Sequence, residues 1–441
     1  MKYTYKKIWL INLPVMMSVL VEQLINITDA LFLSRVGEIE LGASAIAGIY
    51  YLSLYMLGFG FSLGLQVLIA RRNGEGLYQE AGRTFFQGLW FMIGMAVLLF
   101  ALSQVFSGYI LSYLVSSEEV YDAVITYLNW RSYGLLFIFP ALSFRAFYVG
   151  TTRTGMLSVN AAVMVSTNIL LNWLLIFGKA GLPALGIAGA AIASSVSEGF
   201  SLLLFVVYTV FRLDKRIYEF KPVWDMSILR QVVKISLWSM MHAFIGMAPW
   251  LLFFISIEHL GKSQLAAANI VRSISTLFFV IVSSFASTTT SLVSNLIGGG
   301  QPKEVFPLCR KIINLGYGIG LPLILLALIF YQVVIGIYTT EENLIQMAFA
   351  PYVVMLFNYV LALPSCVMLN AVTGTGATRT AFVFQMVTIF FYLIYLQFLN
   401  SIDSIPLAVY WTVEYLFVIL LLVMSFVYMR RWKLIHLREF K

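Results

Sequence analysis

The sequence has little charge and few side chains that bind metals. Only 11% of its 441 residues are charged, against about 25% in a typical soluble domain, and 61% are hydrophobic. Its two cysteines and three histidines support neither a disulfide framework nor a metal site. Apolar stretches leave no room for a sizeable soluble domain. The composition therefore predicts an all-α integral membrane protein.

Twelve apolar stretches follow one another along the chain, and a helix needs about 20 such residues to cross a bilayer. Their centres lie near Val21, Tyr55, Met95, Phe139, Thr167, Ser197, Phe244, Val282, Leu325, Asn358, Phe390 and Phe417. The loops between them are alternately basic and acidic, and basic loops are typically cytoplasmic. We therefore expect a multi-pass protein with both termini in the cytoplasm. The net charge of +8 reflects this topology and does not indicate a nucleic-acid partner.

The two halves of the sequence resemble each other. The same residue types, glycine, leucine, alanine and isoleucine, recur at equal spacings in Val36–Ile46 and Leu260–Ile270. We call the number of residues that separates Gly37 from Gly261 the repeat offset. Gly150–Thr154 matches Gly376–Thr380 at an offset that is longer by two positions. We infer two parallel repeats of six spans each, an arrangement found in one class of secondary transporters. We predict a central cleft, an N-terminal lobe of residues 1–211, a cytoplasmic linker of residues 212–229 and a C-terminal lobe of residues 230–441.

One polar face in the first span is costly to bury in lipid. Glu22, Asn26 and Asp29 share a helical face, with spacings of four and three residues. An acidic side chain in mid-membrane costs roughly 2.5–3.5 kcal/mol on insertion scales. The face should therefore line protein or a wet cavity, which indicates an ion or proton site.

The sequence resembles the multidrug and toxic compound extrusion (MATE) family, in its prokaryotic type. Four features carry the resemblance: Leu13-Pro14 followed by Asp29–Gly37, the loops Gly150–Arg153 and Gly376–Arg379, the segment Asn168–Gly178, and the segment Gly186–Ser194. The resemblance implies a transporter and no enzyme, without a cofactor. It implies export of organic, often cationic and aromatic, compounds across the bacterial inner membrane, coupled to H⁺ or Na⁺. We expect a monomer.

The resemblance also implies a cation-coupling site, with Na⁺ as one possible ion at Asp29. Its partners would be Asn168 and Asn172 on the fifth span and Ser194 on the sixth. The family usually has an aspartate at the position of Asn172, so Asp29 lacks a second carboxylate there, which favours a proton slightly. Polar residues that merely join membrane helices are the alternative interpretation.

Further candidates are less specific. Glu22 is a second titrating group, a residue that faces the central cavity and attracts cations, or a residue satisfied by a neighbouring helix. Glu198 lies either beside the Asp29 cluster or nearer the cytoplasmic end with an arginine partner. Arg145 is expected to extend to the cytoplasmic interface. Candidates for a substrate cavity are Tyr50, Tyr51, Tyr55, Trp250, Phe253, Phe254 and Glu414. Aromatic residues also serve packing and membrane interfaces.

Two other functions remain as alternatives. A lipid-linked saccharide flippase of the same superfamily would need a cationic cavity for phosphate, and the sequence has few buried arginines. A membrane-embedded transferase would need a convergent acid–base or nucleophile cluster near the interface. The leading hypothesis is an antiporter that works by alternating access, with coupling at Asp29.

Overall fold

The computed structural model describes residues 3–113, 115, 117–402 and 405–438. Regular secondary structure in these residues is entirely helical, with the short 3-10 helix Pro302–Glu304 before α12. The α-helices are α1 (Tyr5–Leu33), α2 (Glu38–Gly74), α3 (Tyr78–Ser112), α4 (Glu118–Arg131), α5 (Tyr133–Gly150), α6 (Gly155–Phe177), α7 (Gly186–Arg212), α8 (Lys215–Tyr218), α9 (Met226–Ile245), α10 (Ala248–Glu258), α11 (Lys262–Gly298), α12 (Val305–Ile329), α13 (Tyr331–Gly336), α14 (Glu342–Gly374), α15 (Thr378–Asn400), α16 (Leu407–Tyr410) and α17 (Thr412–Arg438). The chain ends, residues 1–2 and 439–441, lie outside the described residues, and their cytoplasmic position stays a prediction.

Twelve helical segments of the described residues are long and apolar enough to cross a membrane. Each of the twelve predicted centres falls inside one of them. The fourth span is Tyr133–Gly150, which is α5, and the seventh is Met226–Glu258, which joins α9 and α10. The predicted all-helical membrane fold with twelve spans is confirmed.

The sequence repeat is visible in the helices. The helices α2 and α11 are both 37 residues long, and they begin directly after Gly37 and Gly261, the pair that defines the repeat offset. Gly76 and Gly300, at the same offset, follow these helices with φ of 77° and 67°. Positive φ favours glycine because it lacks a Cβ atom. The repeat therefore arises from the same helix lengths and the same turns.

The second predicted match needs a shift of register. Gly150 is the last residue of α5, and the positive φ of this loop, 59°, belongs to Thr152. In the other repeat the positive φ of 89° belongs to Gly376. Thr152 and Gly376 are separated by the repeat offset itself, so the loops correspond at that offset and not at the longer one. Matching the residue types of the two loops therefore pairs positions that differ by two residues from those that share the same backbone turn.

The helices form two compact units. The N-terminal unit is Leu13–Ala243, and the C-terminal unit is Met1–Asn12 together with Phe244–Lys441. These units do not follow the predicted lobe boundaries at residues 211 and 230. Each unit contains the beginning of the span that opens the other repeat, because α1 divides after Asn12 and the seventh span divides after Ala243.

We call these two beginnings the exchanged segments: residues 5–12 of α1, in the C-terminal unit, and residues 226–243 of α9, in the N-terminal unit. Each exchanged segment packs closely against a helix of its unit. In the N-terminal unit, a Cβ atom added at Gly60 or Gly64 would overlap the backbone of α9, at Ser239 and Ser236 respectively. In the C-terminal unit, Asn12 accepts a hydrogen bond from Thr288 of α11 at 2.8 Å. Asn12 and Ser236 are themselves separated by the repeat offset, so the same place in each repeat is exchanged.

The predicted linker, residues 212–229, is part of the N-terminal unit. Tyr218 is 1% exposed, and its ring lies 5.2 Å from the ring of Phe147. Phe220 stacks on Phe85 at 4.9 Å. Glu219, between them, forms an ion pair with Arg83 at 2.9 Å. This segment therefore packs against α3 and α5 and is not a free tether.

Candidate functional site

Three helices of the N-terminal unit bring polar side chains together around Asp29. The amide nitrogen of Asn172 on α6 donates a hydrogen bond to Oδ1 of Asp29 at 2.5 Å. The hydroxyl of Ser194 on α7 donates to Oδ2 at 2.8 Å. Both carboxylate oxygens of Asp29 thus have a donor from a different helix. The structure brings together the four residues that the resemblance implies.

Asn168 completes this group by joining the two donors. Its Nδ2 donates to Ser194 Oγ at 3.1 Å, and its Oδ1 accepts from Asn172 Nδ2 at 3.1 Å. Asn168 and Asn172 are fully buried, and Ser194 is 3% exposed. We call Asp29, Asn168, Asn172 and Ser194 the Asp29 cluster. Its spacing of four residues along α6 puts both amides on one helical face.

The chemistry of the Asp29 cluster follows from its donors. An ionised carboxylate only accepts hydrogen bonds, and both donors suit that form. A protonated carboxyl group needs an acceptor for its own hydrogen. Oδ1 of Asn172 is buried and has no hydrogen-bond partner. The two donors therefore suit the ionised acid, and Oδ1 of Asn172 is an acceptor available to the neutral acid.

Glu198 lies against an arginine, which was one of its two predicted environments. Arg131, at the end of α4, donates two hydrogen bonds to the Glu198 carboxylate, at 2.6 and 2.8 Å. The Tyr51 hydroxyl donates a third at 3.0 Å. Glu198 lies one turn beyond Ser194 on α7, so this ion pair is next to the Asp29 cluster along the helix.

Glu22 lies outside the Asp29 cluster. It is partly buried, and Arg145 and Glu198 are the charged groups that act on it electrostatically. Arg145 is only 6% exposed, and its guanidinium lies 5.4 Å from the Phe59 ring. Arg145 does not extend to an interface, because α5 is the most enclosed of the spans. Asn26, the third member of the predicted polar face, is exposed.

The predicted substrate-cavity residues divide between the two units. In the N-terminal unit, Tyr50 packs on the apolar cluster around Ala47, and Tyr55 stacks on Phe59 at 6.0 Å. In the C-terminal unit, Phe253 is fully buried against Trp411 and Trp250 is 36% exposed.

Glu414 on α17 is the carboxylate of this second group. Its Oε1 accepts a hydrogen bond from the Tyr392 hydroxyl at 3.1 Å. The indole nitrogen of Trp411, three residues earlier, is buried without a hydrogen-bond partner. The Tyr392 ring also lies 5.9 Å from the Phe417 ring. Glu414 therefore combines a carboxylate with aromatic neighbours.

Arg131 belongs to this site although no sequence pattern above pointed to it. Hydropathy alone places the fourth span at Tyr133–Gly150, after Arg131. The repeat offers a signal that could have found it. The C-terminal counterpart of α4 and α5 is the single helix α14, whose ends follow Glu118 and Gly150 by the repeat offset. That correspondence puts Arg131 inside a span.

The MatE family model matches residues 14–174 and 241–399, which is most of the chain and includes Asp29, Asn168 and Asn172. The chain belongs to the MatE family. MatE proteins are membrane transporters, so the protein is a transporter and not an enzyme. The predicted family is confirmed.

Curated relatives and solved structures agree with this family. The chain is 27% identical over 328 residues to a probable multidrug resistance protein NorM of Agrobacterium fabrum, covering 72% of this chain and 69% of that protein. A NorM of Pasteurella multocida is 23% identical over 354 residues, covering 79% and 75%. An outward-facing multidrug resistance MATE transporter of the MOP superfamily has a TM-score of 0.90 at 16% identity, covering 98% and 96%. A MOP superfamily transporter from Pyrococcus furiosus has a TM-score of 0.84 at 18% identity, covering 98% and 96%.

Proposed function

We propose that this protein is a proton-coupled antiporter that exports organic cations from the cytoplasm across the bacterial inner membrane. The coupling proton binds at Asp29, and binding shifts the transporter between its two access states. The observation that carries the proposal is the hydrogen bonding of Asp29 to two donors on two other helices. Relatives named as multidrug resistance proteins support export of drug-like compounds.

The Asp29 cluster suits a proton because either form of the acid can be satisfied within it. The ionised form uses the N–H of Asn172 and the O–H of Ser194. After proton uptake, an amide that turns about its terminal bond presents an oxygen where it had presented a nitrogen. Oδ1 of Asn172 is free for this exchange. Proton uptake would thus change the hydrogen bonds that connect Asp29 to α6 and α7, and the strength of those hydrogen bonds.

Sodium fits the same cluster less well. A hard cation prefers oxygen ligands, and the same rotation of the Asn172 amide would supply one, so the charge of the cluster, and not its ligand atoms, favours a proton. Asn172 also stands where the family usually has an aspartate, so the cluster provides one carboxylate and two neutral amides. One titrating charge suits a single proton per cycle.

Coupling follows from the difference in proton affinity between the two access states. A ligand can shift a conformational equilibrium only by its differential affinity for the two states. Asp29 is on α1, whereas its donors are on α6 and α7, so a movement of α1 against these helices changes the affinity. Organic cations would bind to aromatic faces and carboxylates through cation–π and ionic contacts, for which Tyr55, Trp250 and Glu414 are our candidates.

The flippase alternative finds no support in the buried arginines described above. A phosphate site needs cationic groups that are free to bind it. Arg131 is paired with Glu198, and Arg145 is one of the charged groups that act on Glu22. Arg131 is therefore already neutralised by a carboxylate of the protein.

Purified protein in liposomes tests the proposal. We expect efflux of a flat cationic dye under a proton gradient without sodium, and none under a sodium gradient at equal pH. Asp29→Asn should abolish proton-driven efflux, whereas Asp122→Asn, a matched change at an exposed carboxylate of α4, should not. Full proton-driven efflux by the Asp29→Asn protein would refute the assignment of Asp29. Efflux driven by sodium alone would refute the choice of ion.

A further inference from the structure

A second charged site lies beside the Asp29 cluster, and the proposed function does not use it. Arg131 and Glu198 form a two-pronged ion pair whose side chains are only 11% and 5% exposed. The guanidinium carbon of Arg131 lies 3.6 Å from the centroid of the Tyr51 ring, and the Tyr51 hydroxyl donates to Glu198. Removing charges from water is costly, so such a pair needs hydrogen bonds on all sides.

The backbone around Arg131 is shaped to hold this pair. By its correspondence with α14, the fourth span comprises α4 and α5 and not α5 alone, and it is interrupted at Ser132, whereas α14 is one continuous helix. The hydroxyl of Ser195 donates to the carbonyl oxygens of Trp130 and Arg131, at 3.0 and 3.3 Å. A Cβ atom at Gly134 would overlap both Arg131 and Glu198. The interruption, its hydroxyl partner and the glycine all make room for the arginine.

Arg131 also acts on Asp29. Ser194 donates to Asp29, and Glu198, which Arg131 binds, follows Ser194 by four residues on α7, so the two side chains are neighbours on one helical face. This geometry makes the Arg131 guanidinium a charged neighbour of the Asp29 carboxyl, whose hydrogen-bond donors are the neutral groups of Ser194 and Asn172. Tyr127, one turn before Arg131 on α4, is a further titratable side chain near Asp29. Glu198 acts on Asp29 through Arg131, because it neutralises the arginine.

We propose that Arg131 is a positioning residue that sets the pH at which Asp29 takes up and releases its coupling proton, and that Glu198 and Tyr51 hold its guanidinium in place. This inference rests on the proposed function of Asp29. A carboxyl group shielded from water favours its neutral form, and a nearby cation favours the ionised form. Arg131 therefore helps Asp29 release its proton to the cytoplasm, and Glu198 limits that effect.

The test uses the opposite signs of the two charges. In liposomes, proton-driven dye efflux falls as external pH rises through the point at which Asp29 stops binding protons. Arg131→Gln removes a cation, so Asp29 should keep its proton to a higher pH and the midpoint should rise by about 1 unit. Glu198→Gln leaves the arginine unneutralised, so the midpoint should fall by a similar amount. A purely structural role predicts slower transport in both variants without opposite shifts.

Further variants keep the test decisive if a single substitution impairs folding. Arg131→Lys retains the charge but loses the two-pronged geometry, so its midpoint should stay near that of the unaltered protein. The double variant Arg131→Gln with Glu198→Gln leaves no unpaired charge and should have a raised midpoint. Arg83→Gln and Glu219→Gln are matched controls, because that ion pair is in the same unit but does not act on Asp29.

The outcomes separate this inference from the proposed function. If Asp29→Asn abolishes proton-driven efflux and the Arg131 and Glu198 variants shift the midpoint in opposite directions, both proposals stand. If Asp29→Asn abolishes efflux but the midpoints do not move, or move in the same direction, the role of Arg131 is wrong and that of Asp29 remains. If Asp29→Asn has no effect, the proposed function itself fails.

Discussion

The two repeats have the same helices but different interiors. At the repeat offset, four polar residues of the site in the N-terminal repeat correspond to apolar or aromatic residues in the C-terminal repeat. The pairs are Asp29 with Phe253, Asn168 with Tyr392, Asn172 with Leu396, and Arg131 with Met355. All four C-terminal residues are buried. The fold of a repeat therefore does not require the polar cluster, which indicates that the cluster serves another purpose.

The interruptions of the helices differ in the same way. The N-terminal repeat breaks its fourth span at Ser132, beside Arg131, whereas α14 is unbroken. The C-terminal repeat breaks its first span between α9 and α10, near Pro249, whereas α1 is unbroken through Pro14. An interrupted helix leaves backbone groups that need partners in a membrane. Each repeat thus tolerates an interruption at one place, and in the N-terminal repeat that place holds a charge.

The largest expected effect distinguishes the two carboxylates of the repeats. Asp29→Asn should abolish proton-driven transport, because the titrating group is lost. Glu414→Gln should leave transport dependent on the proton gradient and should raise the KM for an organic cation, because Glu414 is a candidate for substrate binding and not for coupling. Dye efflux at several dye concentrations and pH gradients measures both. Loss of gradient dependence in the Glu414→Gln protein would contradict the contrast between the repeats.

A second substitution replaces Asn172 of the N-terminal repeat by leucine, the residue at the corresponding position 396 of the C-terminal repeat. Asn172→Leu removes a hydrogen bond to a charged group, which is worth about 1.5–3 kcal/mol. The neutral acid also loses a hydrogen bond from Asn172, worth about 0.5–1.5 kcal/mol, so the net loss to ionised Asp29 should raise the efflux midpoint by about 1 unit. The reverse change, Leu396→Asn in the C-terminal repeat, is the control and should not move the midpoint. An unchanged midpoint in Asn172→Leu would show that this amide does not serve Asp29.

The convergence of the Asp29 cluster could be anticipated from the sequence, whereas the ion pair could not. Periodicity puts Asn168 and Asn172 on one face, and the resemblance connects that face to Asp29. Arg131 was missed because hydropathy identifies spans by uninterrupted apolar residues, and this arginine lies where the fourth span is interrupted. Arg145 was expected at an interface because long side chains usually reach one. Burial of α5 on most sides prevents this, and single-sequence patterns carry little information about which span is enclosed.

The exchanged segments predict a smaller, structural difference. In the N-terminal unit Gly64→Ala would force Ser236 away, and overpacking typically costs about 1–3 kcal/mol. In the C-terminal unit Asn12→Ala removes the hydrogen bond from Thr288 and the long one to Ser284, at 3.4 Å, of which only the first has ordinary length, so the net loss is about 0.5–1.5 kcal/mol. Thermal unfolding in detergent should therefore show a larger fall in Tm for Gly64→Ala. Gly94→Ala, which meets no atom within 4 Å, is the control. Equal falls in Tm would show that the two exchanged segments are equally tolerant of substitution.

The smallest expected effect concerns how the first span of each repeat begins. Asp225 precedes α9 and accepts hydrogen bonds from the backbone amides of Ser227 and Ile228, at 2.8 and 3.3 Å, and from the Ser227 hydroxyl at 2.7 Å. Thr4 precedes α1 and accepts one, from the amide of Lys7 at 3.3 Å. The hydrogen bonds from Ser227 and Ile228 lower the pKa of the Asp225 carboxyl.

A lowered pKa means that this cap stabilises the fold above the pKa of the unfolded chain, near 4, and that the contribution is lost as pH falls through the folded value. Asp225→Ala should therefore lower the Tm at pH 7 by about 1–3 °C, more than Thr4→Ala does, because an aspartate cap with three donors is replaced. The difference between Asp225→Ala and the unaltered protein should shrink as the pH is lowered below about 4, whereas that of Thr4→Ala should not depend on pH. An Asp225→Ala effect that persists undiminished at acid pH would show that the carboxylate charge does not contribute to the cap.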